Sequence, residues 1–190
     1  YTLLNLGAVM GIQGETESAL QSTAQALKMF QEGGERSGEA WALFYSGHIA
    51  LARKDFTAAA DFFHRSIAIR TELGLSNLVL EATAGLIQVD LEKGEAGLAL
   101  RKAGTILANL SAGGTLDGSE DPLRIYLSCF QALERNKDAR AQDILRLAAT
   151  QLKDQMARIG DENARRSYVD NVPWRRAIWE ASQLMDNDNP

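Results

Sequence analysis

Three alanines, Ala19, Ala59 and Ala99, lie 40 residues apart within windows of similar sequence. Each window begins with a helix-breaking or capping residue and continues into a run that favours helix. Self-similarity at a fixed period of about 20 to 50 residues is typical of stacked repeats. The period therefore predicts a solenoid, in which each unit packs mainly on its neighbours.

Each unit is predicted to contain two helices that form an antiparallel hairpin. In the second unit a helix is predicted over residues 38–53, and Asp55 is predicted to cap a second helix that ends near Leu73. Asp121-Pro122 predicts a further helix start, and a long helix is predicted from Asp138 to Ile159. The predicted organisation is four units at residues 1–34, 35–74, 75–114 and 121–160, a C-terminal helical cap at 161–184, and a disordered tail at 185–190.

The bulk composition indicates a helical protein with an ordinary core. The net charge of −5 argues against general binding to nucleic acid, and no apolar run approaches the length of a membrane span. A single cysteine, Cys129, excludes an internal disulfide and favours a reducing, cytoplasmic location. Because the chain begins with Tyr1 inside a helical pattern, we expect it to be a piece of a longer protein.

No catalytic, metal-binding or cofactor-binding motif is found in the sequence. His48 and His64 lie on different helices of one hairpin without further ligands at metal-binding spacing. Cys129 occupies a small-residue packing position and is expected to be an inert core thiol. The glycine pairs at 33–34 and 113–114 follow no strand and lack the Gly-Lys-Ser/Thr of a phosphate-binding loop. The prediction is a non-enzymatic protein with no metal and no cofactor.

The spacing of small residues resembles the tetratricopeptide repeat (TPR). That family places a small residue on the first helix of a unit and alanines on the second, as Gly47 and Ala59 do here. Ile87 and Cys129 take the glycine position in the third and fourth units. The resemblance implies an all-α, right-handed superhelical solenoid of about four helix hairpins with a concave groove.

The 40-residue period exceeds the usual TPR period of about 34 residues. Extended repeats of this kind resemble those of kinesin light chains and of large bacterial signalling ATPases and transcription activators. Residues 39–47 are similar to a first helix of those bacterial repeats, and residues 165–173 resemble the end of their C-terminal helical regions. The resemblance implies a part of a larger bacterial regulator that carries an ATPase or cyclase module.

In the resembling family the first helix of each unit lines the groove at two positions, three before and one after the small residue. Carried onto this chain, the positions are Leu4 and Ala8, Phe44 and His48, Ala84 and Gln88, and Tyr126 and Phe130. The Lys, Arg and Asn residues with which some relatives clamp a terminal carboxylate are nearly absent, so that mode of recognition is not expected.

Phe44, Tyr126 and Phe130 are either anchors for a partner helix or packing residues, and Trp41 belongs either to the core or to the groove. The Arg165-Arg166 and Arg175-Arg176 pairs are interpreted as a solvated face of the cap rather than a partner site.

The function predicted from these features is a scaffold that binds a protein, a peptide or a neighbouring domain of its own chain in the groove. The alternative is a domain that senses a small effector and controls an attached ATPase or DNA-binding module. Converging polar groups in the groove would favour sensing, whereas an open apolar groove would favour a peptide. A homodimer is also possible if apolar residues such as Leu3, Leu6 and Met10 are exposed.

Overall fold

A computed structural model describes residues 15–187, and the regular secondary structure in this part of the chain is all α-helix. The described helices are Thr16–Glu32 (α1), Arg36–Ala52 (α2), Phe56–Glu72 (α3), Ser76–Glu92 (α4), Ala96–Ser111 (α5), Pro122–Arg135 (α6), Ala141–Ala157 (α7), Glu162–Asp170 (α8) and Pro173–Asn187 (α9). Consecutive helices from α1 to α7 pack as a chain of antiparallel hairpins, and α4 and α6, the first helices of adjacent hairpins, also contact each other.

The 40-residue period arises from two identical half-periods. Helices α1 to α4 each contain 17 residues. The first five helices start 20 residues apart, at residues 16, 36, 56, 76 and 96. A left-handed residue occupies the same place in each turn, namely Gly34, Lys54, Gly74 and Gly94, with φ of 68°, 62°, 69° and 78°. In each turn the amide that follows this residue donates to the carbonyl five residues earlier, as in Glu35 to Phe30 at 2.9 Å. This is the Schellman arrangement, which satisfies the last helical carbonyls.

Aspartate side chains begin three of the helices. Asp55 accepts a hydrogen bond from the Ala58 amide at 3.0 Å, as the sequence predicted, and Asp121 accepts one from Leu123 at 3.1 Å. Asp161 caps α8 in the same way. These carboxylates satisfy amides that have no partner in the first helical turn.

Small residues allow the helices to approach closely at each repeat. Ala19, Ala59 and Ala99 are fully buried. The ring of Phe63 on α3 lies between two glycines, because a Cβ atom would lie 2.8 Å from it at Gly47 and 2.5 Å from it at Gly85. The third unit therefore presents Gly85 to this ring, while Ile87, at the family's glycine position, is itself a buried core residue.

The regular period ends after α5. The loop that follows contacts α4, since Asn77 donates to the Asp117 carbonyl at 2.7 Å and the Glu120 amide donates to the Glu81 carboxylate at 2.7 Å. Leu116 of this loop is buried in the core. The loop delays the start of α6 to Pro122, which explains the shift of the period at Ala141.

Helix α7 differs from the prediction of one long helix over residues 138–159. It runs from Ala141 to Ala157, the same 17-residue length as α1 to α4. Its start is delayed because Asp138 accepts from both the amide and the guanidinium of Arg140, and Lys137 adopts a left-handed φ of 55°. These local bonds compete with the helical hydrogen bonds and form a turn.

The C-terminal helices α8 and α9 cover the end of the array, as predicted for a cap. Helix α9 packs against α6, α7 and α8, and Ile178 at its centre is fully buried. Trp174 and Trp179 are half-buried on the same helix. Helix α9 continues to Asn187 and so includes residues 185–187, which the sequence analysis placed in a tail, whereas 188–190 lie outside the described residues.

None of the helices in the described part of the chain combines the length and the apolar character that crossing a membrane requires.

Candidate functional site

The aromatic residues predicted to line the groove are packed inside the protein. Phe44, Tyr126 and Phe130 are 2%, 7% and 4% exposed, and Ala84 is buried beside them. Phe44 belongs to the core around Phe63, whereas Tyr126 and Phe130 belong to the larger core of the C-terminal half. In this structure these rings offer almost no accessible surface to a partner. The predicted groove residues Leu4 and Ala8 lie outside the described residues.

The other two predicted groove residues, His48 and Gln88, reach a common surface formed by α2, α4 and α6. We call this surface, with the C-terminal residues that border it, the inner face. Gln88 donates to the Ser128 hydroxyl at 3.0 Å and to the Gln131 side-chain oxygen at 2.8 Å. These bonds link α4 to α6 through polar side chains, so the centre of the inner face is polar.

His48 contacts a cation. Its Nδ1 atom lies 2.9 Å from Nη2 of Arg124 on α6, and its ring packs edge-on against Phe44 and Phe63 with centroids 4.6 and 4.9 Å away. Burial, then the charges of Arg124 and Arg70, hold the pKa of His48 well below its usual value. His48 is therefore neutral at physiological pH and serves as a hydrogen-bond acceptor for Arg124.

Arg70 forms a fully buried ionic centre behind the inner face. Its guanidinium lies 3.3 Å from the carboxylate of Glu81, and 4.7 and 4.6 Å from the ring centroids of Trp41 and Phe44. It also donates to the Leu78 carbonyl, while its Nε and Nη2 atoms lack hydrogen-bond partners among the described residues. Trp41, which the sequence left between core and groove, is half-buried beneath this cation.

The carboxylates near Arg124 are engaged by other groups. The exposed Glu120 accepts the hydroxyl hydrogen of Tyr45, and burial with this contact raises the pKa of Tyr45. Glu81 accepts the Glu120 amide in addition to its contact with Arg70. This part of the inner face therefore contains both acidic side chains, Glu81 and Glu120, and a basic one, Arg124.

Asp121 connects the inner face to the C-terminal cap. One carboxylate oxygen accepts from Trp174 Nε1 at 2.7 Å and from Arg175 Nη2 at 3.0 Å, while the other caps α6. The Arg175 guanidinium also lies 4.0 Å from the ring centroid of Tyr168. The sequence interpretation of Arg175-Arg176 as solvated thus fits Arg176, which is exposed, but is wrong for Arg175, whose side chain is 19% exposed and paired.

Two clefts flank the centre of the inner face. The first has a volume of about 380 Å³ and lies between α2, the start of α6 and the start of α9. The second has a volume of about 550 Å³ and lies between the C-terminal ends of α4 and α6, lined by Gln88, Leu91, Glu92, Gln131, Glu134, Arg135 and Lys137. The first is bordered by apolar and charged groups together, whereas charged and amide groups dominate the second.

Cys129 is buried in the core, away from both clefts. Burial raises the pKa of the Cys129 thiol to about 12, which keeps it protonated in the core. Within residues 15–187, no three His, Cys, Asp or Glu side chains are grouped so that they could hold a metal ion.

Sequence reasoning did not find Arg70, Glu81 or Arg124, the charged residues that organise the inner face. One signal was available for Arg70, because it falls seven residues after Phe63 on the apolar face of α3. A charged residue in an apolar stripe indicates a buried partner, since an unpaired buried charge is costly. No comparable local signal marked Arg124, whose neighbour His48 is 76 residues away.

Comparison with known proteins identifies the architecture. The structure is similar to the crystal structure of nearly identical TPR-like repeats from a kinesin light chain-like protein of Podosopora anserina, with a TM-score of 0.61 and 14% sequence identity over 96% of this chain and 95% of that one. A substituted form of those repeats matches with a TM-score of 0.62 and 14% identity, over 98% of this chain and 91% of that one. The chain has a TPR-like fold. No protein-family profile matches the sequence, and no curated protein matches it.

This TPR-like solenoid confirms the all-helical repeat architecture expected from the 40-residue period. At 14% identity the likeness extends to the fold alone. Of the predicted groove residues in the described part of the chain, His48 and Gln88 are half-buried at the inner face, whereas Phe44, Tyr126 and Phe130 are buried.

Proposed function

We propose that this chain is a non-catalytic interaction module whose inner face binds a segment of a partner protein or of a neighbouring domain. The observation that carries this proposal is the pair of clefts at the two ends of the inner face, about 380 and 550 Å³ in volume. Repeats that stack helix hairpins present such extended faces from a preformed scaffold. A preformed face binds without the cost of ordering itself.

The recognition groups on this face differ from those that the sequence suggested. Phe44, Tyr126 and Phe130 support the face from the core, while His48 and Gln88 lie at its surface. A bound segment would therefore contact amide and charged groups, and its specificity would come from hydrogen bonds more than from an aromatic anchor.

A peptide-display selection against the purified chain tests this proposal. We expect selected peptides to bind the wild type and to lose about tenfold in affinity or more on Gln88→Arg, which places a bulky charge at the centre of the inner face. The matched control is Arg101→Gln, an exposed change on α5. Peptides that bind Q88R as tightly as wild type, or that respond only to R101Q, would contradict the proposal.

A second candidate is the sensing of a small effector at the same face. It is favoured by the convergence of His48, Glu120, Arg124 and Arg175 around one cleft. Pockets of about 300 to 1,000 Å³ with a few converging polar groups are typical of small-molecule sites. In this case the cap, which borders the cleft, would connect ligand binding to the rest of the protein.

We also propose that the chain acts within a larger cytoplasmic bacterial regulator with an ATPase or cyclase module. The support is the similarity of residues 39–47 and 165–173 to such proteins, and the full-length gene sequence would test it. Homodimerisation remains a prediction, because the apolar residues invoked for it, Leu3, Leu6 and Met10, lie outside the described residues. Sedimentation equilibrium of the purified chain would decide it.

A further inference from the structure

The cleft beside the cap combines an apolar wall with a half-buried cation. Ile49 and Ala52 border it from α2, and Val172, Pro173 and Trp174 border it from the start of α9. Arg124 and His48 also line it, and both extend into a small adjoining cavity between α2, α4 and α6. The cleft therefore offers hydrocarbon contacts and one cluster of hydrogen-bond donors in the same space.

Arg124 is held in place by two neutral groups. Its Nη2 atom donates to His48 Nδ1 at 2.9 Å, and its guanidinium lies 4.7 Å from the ring centroid of Trp174. An arginine has five N–H donors, so most of its hydrogen-bonding capacity is not used by His48. Burial lowers the pKa of Arg124 to about 10, which leaves it charged at neutral pH.

The charge of Arg124 has no contacting anion in the described part of the chain. No carboxylate oxygen there lies within 4 Å of its nitrogen atoms, whereas Arg70 pairs with Glu81 and Arg175 pairs with Asp121. The partners of the other two arginines accept further hydrogen bonds, Glu81 from the Glu120 amide and Asp121 from Trp174. The charges of Glu120, Glu81 and Asp121 act on Arg124 from beyond contact distance, so its guanidinium keeps N–H donors that a ligand carboxylate can accept from directly.

The surroundings select for an anion of a particular kind. Glu120, which is exposed at the rim of the cleft, accepts from Tyr45 with one oxygen, and its charge disfavours a ligand with several negative charges more than a ligand with one. One guanidinium matches the two oxygens of a single carboxylate in a fork geometry. The apolar wall needs a hydrocarbon or aromatic group of the same ligand.

We propose that this cleft binds a small organic monocarboxylate, with Arg124 as the anion contact and the α2 and α9 walls as the contact for its apolar part. This inference rests on the effector-binding candidate above. Arg124 lies five residues before Cys129, outside the two groove positions that the TPR resemblance supplied. The site therefore shares His48 with the predicted groove contacts and adds Arg124 to them.

Binding of phenylacetate and 4-methylpentanoate to the 190-residue chain tests the proposal, with phenylacetamide, 4-methylpentanamide and inorganic phosphate as matched probes. We expect calorimetry to detect the acids in the micromolar to millimolar range and to show the amides and phosphate about tenfold weaker or more. Arg124→Gln is expected to lower the affinity for the acids about tenfold while leaving the amides unchanged. The control Arg101→Gln should alter none of these values.

A second variant keeps the test valid if R124Q fails to fold. Ala52→Trp changes an exposed residue at the border of the cleft, fills the space and leaves Arg124 intact, so it should abolish binding of acids and amides together. If acids and amides bind equally well, or phosphate binds as well as the acids, the carboxylate assignment is overturned while the effector candidate stands. If no probe binds at about 10 mM, both are overturned, and the peptide proposal is judged separately by Q88R.

Discussion

His48 Nδ1 accepts a hydrogen bond from Arg124 Nη2 across the contact of α2 with α6, over 2.9 Å. Because a guanidinium can only donate, Nδ1 carries no proton, and the neutral imidazole must hold its proton on Nε2. That Nε2 atom is buried and has no partner in the described residues. The relationship therefore defines both the charge and the tautomer of a histidine at the inner face.

The first prediction concerns the stability of the fold in acid. His48 takes up a proton below pH 6.5 in the unfolded chain, but the folded protein holds its pKa well below that value through burial and through Arg124 and Arg70. The unfolded state then binds more protons, so stability falls as the pH falls from about 6.5 toward the folded pKa. The slope of this loss approaches about 1.4 kcal/mol per pH unit at pH values between the unfolded and the folded pKa.

Urea unfolding of wild type and His48→Gln at about pH 7 and pH 5 measures this loss. Wild type should lose more stability than H48Q between the two conditions, by up to about 2 kcal/mol. His64→Gln removes the exposed histidine of the same hairpin and should retain the wild-type pH dependence. An unchanged pH dependence in H48Q would show that His48 takes up a proton as readily in the folded as in the unfolded state, which would contradict the lowered pKa.

The second prediction concerns the ring of Phe63 between Gly47 and Gly85. A methyl group at either glycine would lie under 3.0 Å from this ring, and the ring cannot move away from one glycine without pressing on the other. Gly47→Ala and Gly85→Ala should each destabilise the fold by about 1–3 kcal/mol. Denaturant unfolding measures the effect.

A matched control is Gly104→Ala in α5, where an added Cβ meets no atom within 4 Å. It should stabilise the fold by about 0.5–1 kcal/mol, because alanine favours helix. Phe63→Leu combined with G85A should recover part of the loss, as coupled contacts do. Strictly additive effects of the two substitutions would refute the close contact.

The third prediction uses the left-handed residue of the second turn. Lys54 has φ of 62° at the position that glycine occupies in three equivalent turns. Lys54→Gly should raise the free energy of unfolding by about 0.5–1 kcal/mol, since glycine adopts this conformation without steric cost.

Lys93→Gly is the control for this effect. Lys93 has φ of −77°, and its ion pair with Glu95 is exposed and contributes little. Glycine there should lower stability by about 0.5–1 kcal/mol by making the unfolded chain more flexible. Thermal melting that ranks K54G at or below K93G would contradict the role assigned to the turn.

The fourth prediction concerns the two roles of Asp121, which caps α6 and also binds side chains of the C-terminal cap. Asp55 and Asp121 both cap a helix through one amide, but only Asp121 also accepts from Trp174 and Arg175. Asp55→Ala should cost about 0.5–2 kcal/mol, and Asp121→Ala should cost about 1.5–3 kcal/mol more.

Hydrogen exchange gives a second measurement of the same difference. D121A should accelerate exchange at the start of α9, whereas D55A should leave that segment unchanged. Equal costs of D55A and D121A, with no change of exchange near Trp174, would mean that the Asp121 contacts do not hold the cap.

The sequence predicted the local features of the fold well, because helix ends depend on nearby residues. Asp55 and Asp121 cap helices where their sequence positions indicate, and glycines occupy most of the left-handed turns. The long helix over 138–159 was wrong because the bonds between Asp138 and Arg140 form a turn that periodicity does not reveal. The aromatic groove was expected at positions where Phe44 and Phe130 instead fill the core.

The sequence by itself was therefore enough to predict the repeat, its period and the order of the hairpins. These features depend on the spacing of apolar residues along each helix and on caps within its first turn. Tertiary structure alone decided the chemistry of the inner face. Residues separated by 76 and 53 positions, as in His48 with Arg124 and Asp121 with Trp174, meet only when the hairpins stack and the cap folds back. Stacking also buried Phe44 and Phe130 while leaving His48 and Gln88 half-buried, because the helices that pack on each first helix determine which of its sides is covered.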